Sequence, residues 1–119
     1  MVTALACSLV GQTHAVRLEP GSLAARLYER AEVLEDYYCN YGVNPEYRAR
    51  LERGGLRVSG VGDEGEVRLV ELPGHPFFLA TLFLPQARSA PGAPHPLLAG
   101  WAAAVLAARA RADGRAVRP

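Results

Sequence analysis

The sequence is poor in several features that commonly mark a function. It has almost no excess of either charge, with 13 Lys+Arg against 12 Asp+Glu and a net +1. No overall field therefore draws it toward nucleic acid or an anionic membrane. Lysine is absent and every basic residue is arginine. With the abundant alanine, this reads as a coding bias of the source and carries no catalytic meaning. There are only two cysteines, Cys7 and Cys39, too few for a disulfide scaffold or an unaided zinc site. They fit a reducing, cytoplasmic interior, although their spacing leaves a single bridge open. No run approaches the ~20 apolar residues needed to cross a bilayer, and the apolar first ten residues lack a basic flank.

What is present suits one compact domain. Half of the 119 residues are apolar, enough for a chain of this length to bury most of its unfolded surface. The expected division is a single domain over residues 1–113 and a flexible tail over 114–119. Residues 4–10 and 13–18 are short apolar runs split by Gly11-Gln12, which suits two strands with a tight connection. Ser22 can cap a two-turn helix that carries Leu23, Leu27 and Tyr28. Residues 32–43 read as extended, because Val33, Tyr37, Tyr38 and Tyr41 favour a pleated surface. Asn44-Pro45 then opens a helix that Gly54 ends in a left-handed conformation.

Gly62-Asp63-Glu64-Gly65 is a polar turn between two strands, so a hairpin is expected. It lacks the Lys and Ser/Thr of a phosphate loop. Residues 77–84 are apolar except Thr81, which predicts a central strand buried on both faces and ended by Pro85. His95-Pro96 opens a last helix with Leu97, Trp101 and Val105 on one stripe. Interleaved strands and helices give an α/β architecture, expected to be built on a mixed, mostly parallel sheet with flanking helices.

Three segments stand out together: VNPEYRARLERGGLRVSG, then VRLVELPGHPFFLATLFLPQ, then PHPLLAGWAAA, with a weaker echo in LEPGSLAARLYER. In this order they resemble the C-terminal class I glutamine amidotransferase domain of the CTP synthases, an enzyme family of pyrimidine nucleotide biosynthesis. The resemblance covers most of this chain and the second half of the family's domain. It implies glutamine hydrolysis by a cysteine nucleophile on a glycine-rich elbow, assisted by a His-x-Glu pair at the end of the catalytic strand. This chain has no such elbow, and the pair's positions are Leu84 and Gln86. Neither side chain can take up the proton or hold the charge those roles require, so glutaminase activity by this chain alone is not expected.

The family's basic run before Val-Asn is replaced here by EDYYCNYG. Asp36, Tyr38 and Asn40 stand at arginine positions, and Tyr37 and Cys39 at histidine positions. This pattern resembles a divergent group, the CTP synthase C-terminal-region-related (seleno)proteins. Cys39 is the candidate reactive thiol, with Tyr38, Asn40 and Tyr41 as the inherited pocket. The plainer reading is a half-buried strand cysteine, since a thiol is activated only by nearby cations or a helix N-terminus. Cys7 reads as a small structural hydrophobe, and His75 and His95 as capping residues. His14, His75, His95 and the two cysteines have no ligand spacing, so no metal is expected, and no cofactor. Arg109, Arg111, Arg115 and Arg118 read as a solvated helix end, and no nucleic-acid or membrane partner is expected.

Two further functional readings follow. A noncatalytic binding or regulatory module would complete its half-sheet with a protein partner or as a homodimer. Alternatively, an upstream segment would supply the missing elbow.

Overall fold

The computed structural model describes residues 1–117. Seven strands and three helices follow one another: β1 (Val2–Ala4), β2 (Gln12–Leu18), α1 (Leu23–Tyr28), β3 (Glu32–Tyr37), β4 (Tyr41–Val43), α2 (Arg48–Arg53), β5 (Arg57–Val61), β6 (Val67–Glu71), β7 (Leu79–Thr81) and α3 (Pro96–Val117). The interleaving gives the expected mixed α/β architecture with flanking helices. Strand direction differs from expectation: every ladder is antiparallel, in a five-stranded sheet of order β3-β2-β5-β6-β7 and a separate β1-β4 pair. For the ladders on either side of β6 the connections explain this. A parallel neighbour needs a crossover that carries the chain back along the strand. The links of five residues between β5 and β6 and of seven between β6 and β7 fall short of the dozen or more that such a crossover takes.

The sheet is curled, and the chain leaving β7 bridges its two ends. The Leu82 amide donates to the Arg68 carbonyl on β6, and two residues later the Leu84 amide donates to the Asp36 carbonyl on β3, both at 2.9 Å. Residues 77–84 are therefore not a central strand. Only Leu79–Thr81 pairs as β7, at the end of the sheet and partly exposed, and Phe83 turns inward instead. The apolar run had a different cause: its largest contribution is to the core. That core comprises Leu9, Val16, Leu18, Ala24, Val33, Tyr37, Leu69, Phe83 and Leu97. At Gly60 a Cβ would stand 2.9 Å from both Leu69 Cβ and Val16 Cγ1, so only glycine lets three strands approach this closely.

Several ends follow local chemistry. Ser22 Oγ accepts from the Ala25 amide at 3.0 Å, and Asn44 Oδ1 from the Glu46 amide at 3.0 Å. Asn44 opens a 3-10 turn, Pro45–Tyr47, ahead of α2. The left-handed residue beyond α2 is Gly55 (φ 104°), one place later than expected, with Gly54 at φ −77°. The strand expected over residues 4–10 does not form: residues 5–11 are a loop that buries Leu9, and β1, which precedes it, shares only Ala4 with that stretch. The extended stretch expected over 32–43 is broken at Tyr38, Cys39 and Asn40. α3 packs on α1 at Gly100, where a Cβ would stand 2.6 Å from Leu27 Cδ2. It continues to Val117, so the segment expected as a tail begins within helix, and residues 118–119 lie outside the described residues.

Candidate functional site

β3 delivers the candidate thiol. Val33, Glu35 and Tyr37 point into the core, as the two-residue period of a strand requires, and the chain then breaks at Tyr38-Cys39-Asn40 before β4 pairs with β1. The loop over residues 5–11 lies along this break. The Leu5 amide donates to the Asn40 carbonyl at 2.8 Å, the Leu9 amide to the Cys39 carbonyl at 2.9 Å and the Gly11 amide to the Tyr37 carbonyl at 2.9 Å. Cys39 is half-buried against the core, while Tyr38, Asn40 and Tyr41 are exposed, so the three pocket candidates face solvent. Cys7 is exposed on the loop, and both cysteines are free.

Burial pushes the Cys39 thiol above its ordinary range, and the lowering effects of the Arg68 guanidinium and a hydrogen bond from the Tyr41 backbone are smaller. A raised value means less thiolate at neutral pH. In the folded protein iodoacetamide is therefore expected to alkylate Cys7 well before Cys39. The Cys39 rate should climb only at a pH above that of a free model thiol, as followed by mass spectrometry. Labelling of Cys39 that leads Cys7 at neutral pH would contradict this assignment.

Leu84 and Gln86 sit beside the same strand end. Leu84 is half-buried, bonded to Asp36 through its amide, and precedes a 3-10 turn, Pro85–Arg88; Gln86 is exposed on that turn. Phe83 anchors the segment edge-on to Tyr37, with ring centroids 6.0 Å apart. Asp36 ties it further by accepting from Thr13 Oγ1 at 2.7 Å and Arg88 Nη1 at 3.0 Å. These hydrogen bonds, that from Thr13 first, hold its carboxyl below the usual range. The fold thus brings the Leu84–Gln86 segment against the strand that leads to Cys39.

The most polar buried cluster lies further along β3 and was not legible in the sequence. Glu35 Oε2 accepts from Tyr28 Oη at 2.5 Å and pairs with His95 Nε2 at 2.6 Å, and Tyr28 Oη lies 3.2 Å from the same ring nitrogen. His95 Nδ1 accepts from the Leu97 amide at 3.1 Å, which places the ring proton on Nε2, facing Glu35. His95 does cap the last helix, as expected, and it also locks that helix to β3. Glu35 and His95 are 1% and 3% exposed. Desolvation, then the hydrogen bond to Glu35, holds the Tyr28 hydroxyl far above its ordinary range.

The other histidines are local. His75 Nδ1 accepts from the Phe77 amide at 3.1 Å, and His14 Nε2 bonds Gln12 Oε1 at 2.7 Å. Among the described residues no group of three or more His, Cys, Asp or Glu is placed to hold a metal ion, and no helix is long and apolar enough to cross a membrane.

No protein-family model matches the chain. It is 44% identical over 104 residues to the CTP synthase of Rubrobacter xylanophilus, covering 87% of this chain and 19% of that protein. Over 94 residues it is 43% identical to the CTP synthase of Rippkaea orientalis, covering 78% of this chain and 17% of that protein. The chain thus spans less than a fifth of the length of these curated relatives. Its fold is similar to the solved Trypanosoma brucei CTPS glutaminase domain with bound acivicin, with a TM-score of 0.75 and 34% identity, covering 83% of this chain and 40% of that one.

Proposed function

We propose that this chain, a CTP-synthase-related domain of the glutamine amidotransferase type by both sequence and fold, is a noncatalytic binding or regulatory module. The observation that carries the reading is the segment Phe83-Leu84-Pro85-Gln86. It lies beside β3, where the resemblance implies a base and its orienting carboxylate, and it offers a half-buried leucine and an exposed glutamine. A general base needs a titratable group within hydrogen-bond reach of the proton it takes, and neither side chain has one. The thiol or redox alternative needs Cys39 as thiolate, and burial pushes that thiol the opposite way.

The test is glutamate release from glutamine by the purified chain, alone and as Leu84→His/Gln86→Glu. Neither protein is expected to exceed the uncatalysed background, because the double substitution restores the pair without a nucleophile elbow. Turnover by the unaltered chain that disappears in Cys39→Ser would overturn the noncatalytic reading.

One observation favours a second reading, in which the chain is one part of a glutamine-hydrolysing CTP synthase system. The match covers 40% of its structural neighbour, and an upstream segment would supply the elbow. The noncatalytic reading calls for a protein partner or a second copy. The apolar surface available to it includes Leu34 on β3 and Trp101, Val105 and Leu106 on α3, which are 46% to 64% exposed.

A further inference from the structure

The start of α1, the first residue of β5 and the loop after β6 line a cleft of about 240 Å³ whose walls include Gly21, Arg26, Arg57, Glu71 and His75. Two guanidinium groups meet there on one acceptor. The Gly21 carbonyl accepts from Arg26 Nη1 at 3.0 Å and from Arg57 Nη1 at 3.4 Å, and Arg57 Nη2 donates to the Pro20 carbonyl at 2.9 Å. Cations gathered on a single carbonyl repel each other unless a counter-charge is close. Among the described residues neither arginine has a carboxylate within salt-bridge distance.

The carboxylate in the wall is already committed. Glu71 is buried and accepts from the Leu23 amide at 3.0 Å and the Ala24 amide at 3.3 Å. Its charge therefore answers the first turn of α1, and that turn's N–H groups are not open to a ligand. A guanidinium has five N–H donors; the contacts above use one on Arg26 and two on Arg57. Across the shared loop residues Gly74, His75 and Pro76, an adjoining cleft is lined by Arg111 from α3.

We propose that this cleft is an anion site for a phosphate-bearing ligand, gripped by Arg26 and Arg57 with Arg111 adding charge from the adjoining side. A single carboxylate brings one negative charge and two oxygens. A phosphate monoester brings close to two charges and three oxygens, which matches separate guanidinium groups approaching from different elements. Arg57 positions the loop as well as the ligand, because it already holds two carbonyls of the Pro20-Gly21 turn. Arg26 reaches over from the helix and is freer to engage phosphate oxygens.

The test is a titration of the full chain by two-dimensional amide spectroscopy with inorganic phosphate, pyrophosphate and a nucleoside triphosphate, each against acetate and chloride at matched ionic strength. Saturable millimolar or tighter shifts confined to the Gly21, Arg57 and Gly74-His75 amides are expected with the phosphates and not with acetate or chloride. Arg26→Gln, which leaves both Arg57 contacts in place, should weaken them about tenfold, as expected for a lost charge-assisted hydrogen bond. Tighter binding of the nucleotide than of phosphate or pyrophosphate would identify the source as a nucleotide, and equal binding would identify the free anion. Shifts that do not saturate, that chloride reproduces, or that persist undiminished in Arg26→Gln would overturn the site. Should Arg57→Gln fail to fold, Arg26→Gln and Arg111→Gln carry the test alone.

Discussion

Glu35→Ala is expected to destabilise the protein by about 2–5 kcal/mol, from leaving two buried donors without their acceptor at roughly 1–3 kcal/mol each. For a chain of this length that lowers the melting temperature by roughly 8–20 °C. The carboxylate is 1% exposed, and one of its oxygens serves both His95 and Tyr28 while the other has no hydrogen-bond partner. Removing it leaves the ring N–H of His95 and the Tyr28 hydroxyl buried without their acceptor, and it frees the first turn of α3 from β3. Glu35→Gln keeps an acceptor and should cost less. In a double-mutant cycle, Glu35→Leu/His95→Leu should be milder than the sum of its single changes, because neither member of the pair is then left facing a missing partner, and Tyr28 loses its acceptor only once. Thermal unfolding followed by circular dichroism measures all of these. A Glu35→Ala protein within about 1 kcal/mol of the original would mean that water or rearrangement satisfies the site, and that the pair contributes the little typical of a solvated one.

Phe83→Ala should be comparably severe, about 3–5 kcal/mol, from lost burial plus the cavity left behind. Phe83 is 2% exposed and edge-on to Tyr37, and it lies between the two backbone bonds that bridge the ends of the sheet. The loss should therefore have a local signature beyond the global one. Hydrogen exchange at the Leu84 amide, whose partner is the Asp36 carbonyl, should accelerate more than exchange at β5 and β6 amides, because the bridge opens by local unfolding before the sheet does. Uniform acceleration at all of these sites would show that Phe83 supports the core alone and not the bridge.

These two residues mark the limit of what the sequence reveals. Features fixed by a few adjacent residues were legible: the Ser22 cap, the Asn44-Pro45 start, the turn between β5 and β6, and the opening of α3 at His95-Pro96. Each depends on chemistry within four or five positions. The Glu35–His95 pair joins residues 60 apart, and nothing in the local pattern of either announces it. The apolar run over residues 77–84 fits a buried strand and a core-filling bend equally well, so periodicity alone could not separate them. Strand direction depended on which strands become neighbours in the sheet, which an interleaved α/β pattern leaves open. Around Cys39 the sequence indicated a residue of interest; how deeply the thiol is buried came only with the fold.

α3 offers a built-in optical probe. It is tied down through Leu97, its His95 cap and Gly100, while Trp101, the single tryptophan in the chain, stands 56% exposed one residue beyond the Gly100 contact. All indole emission from this protein therefore originates at the junction between the anchored and free parts of the helix. A partner that covers the apolar stripe would move that emission to shorter wavelength. Release of the His95 latch would leave an already wet indole near its solvent-exposed wavelength. One fluorophore thus separates docking on the helix from detachment of the helix, with no label added.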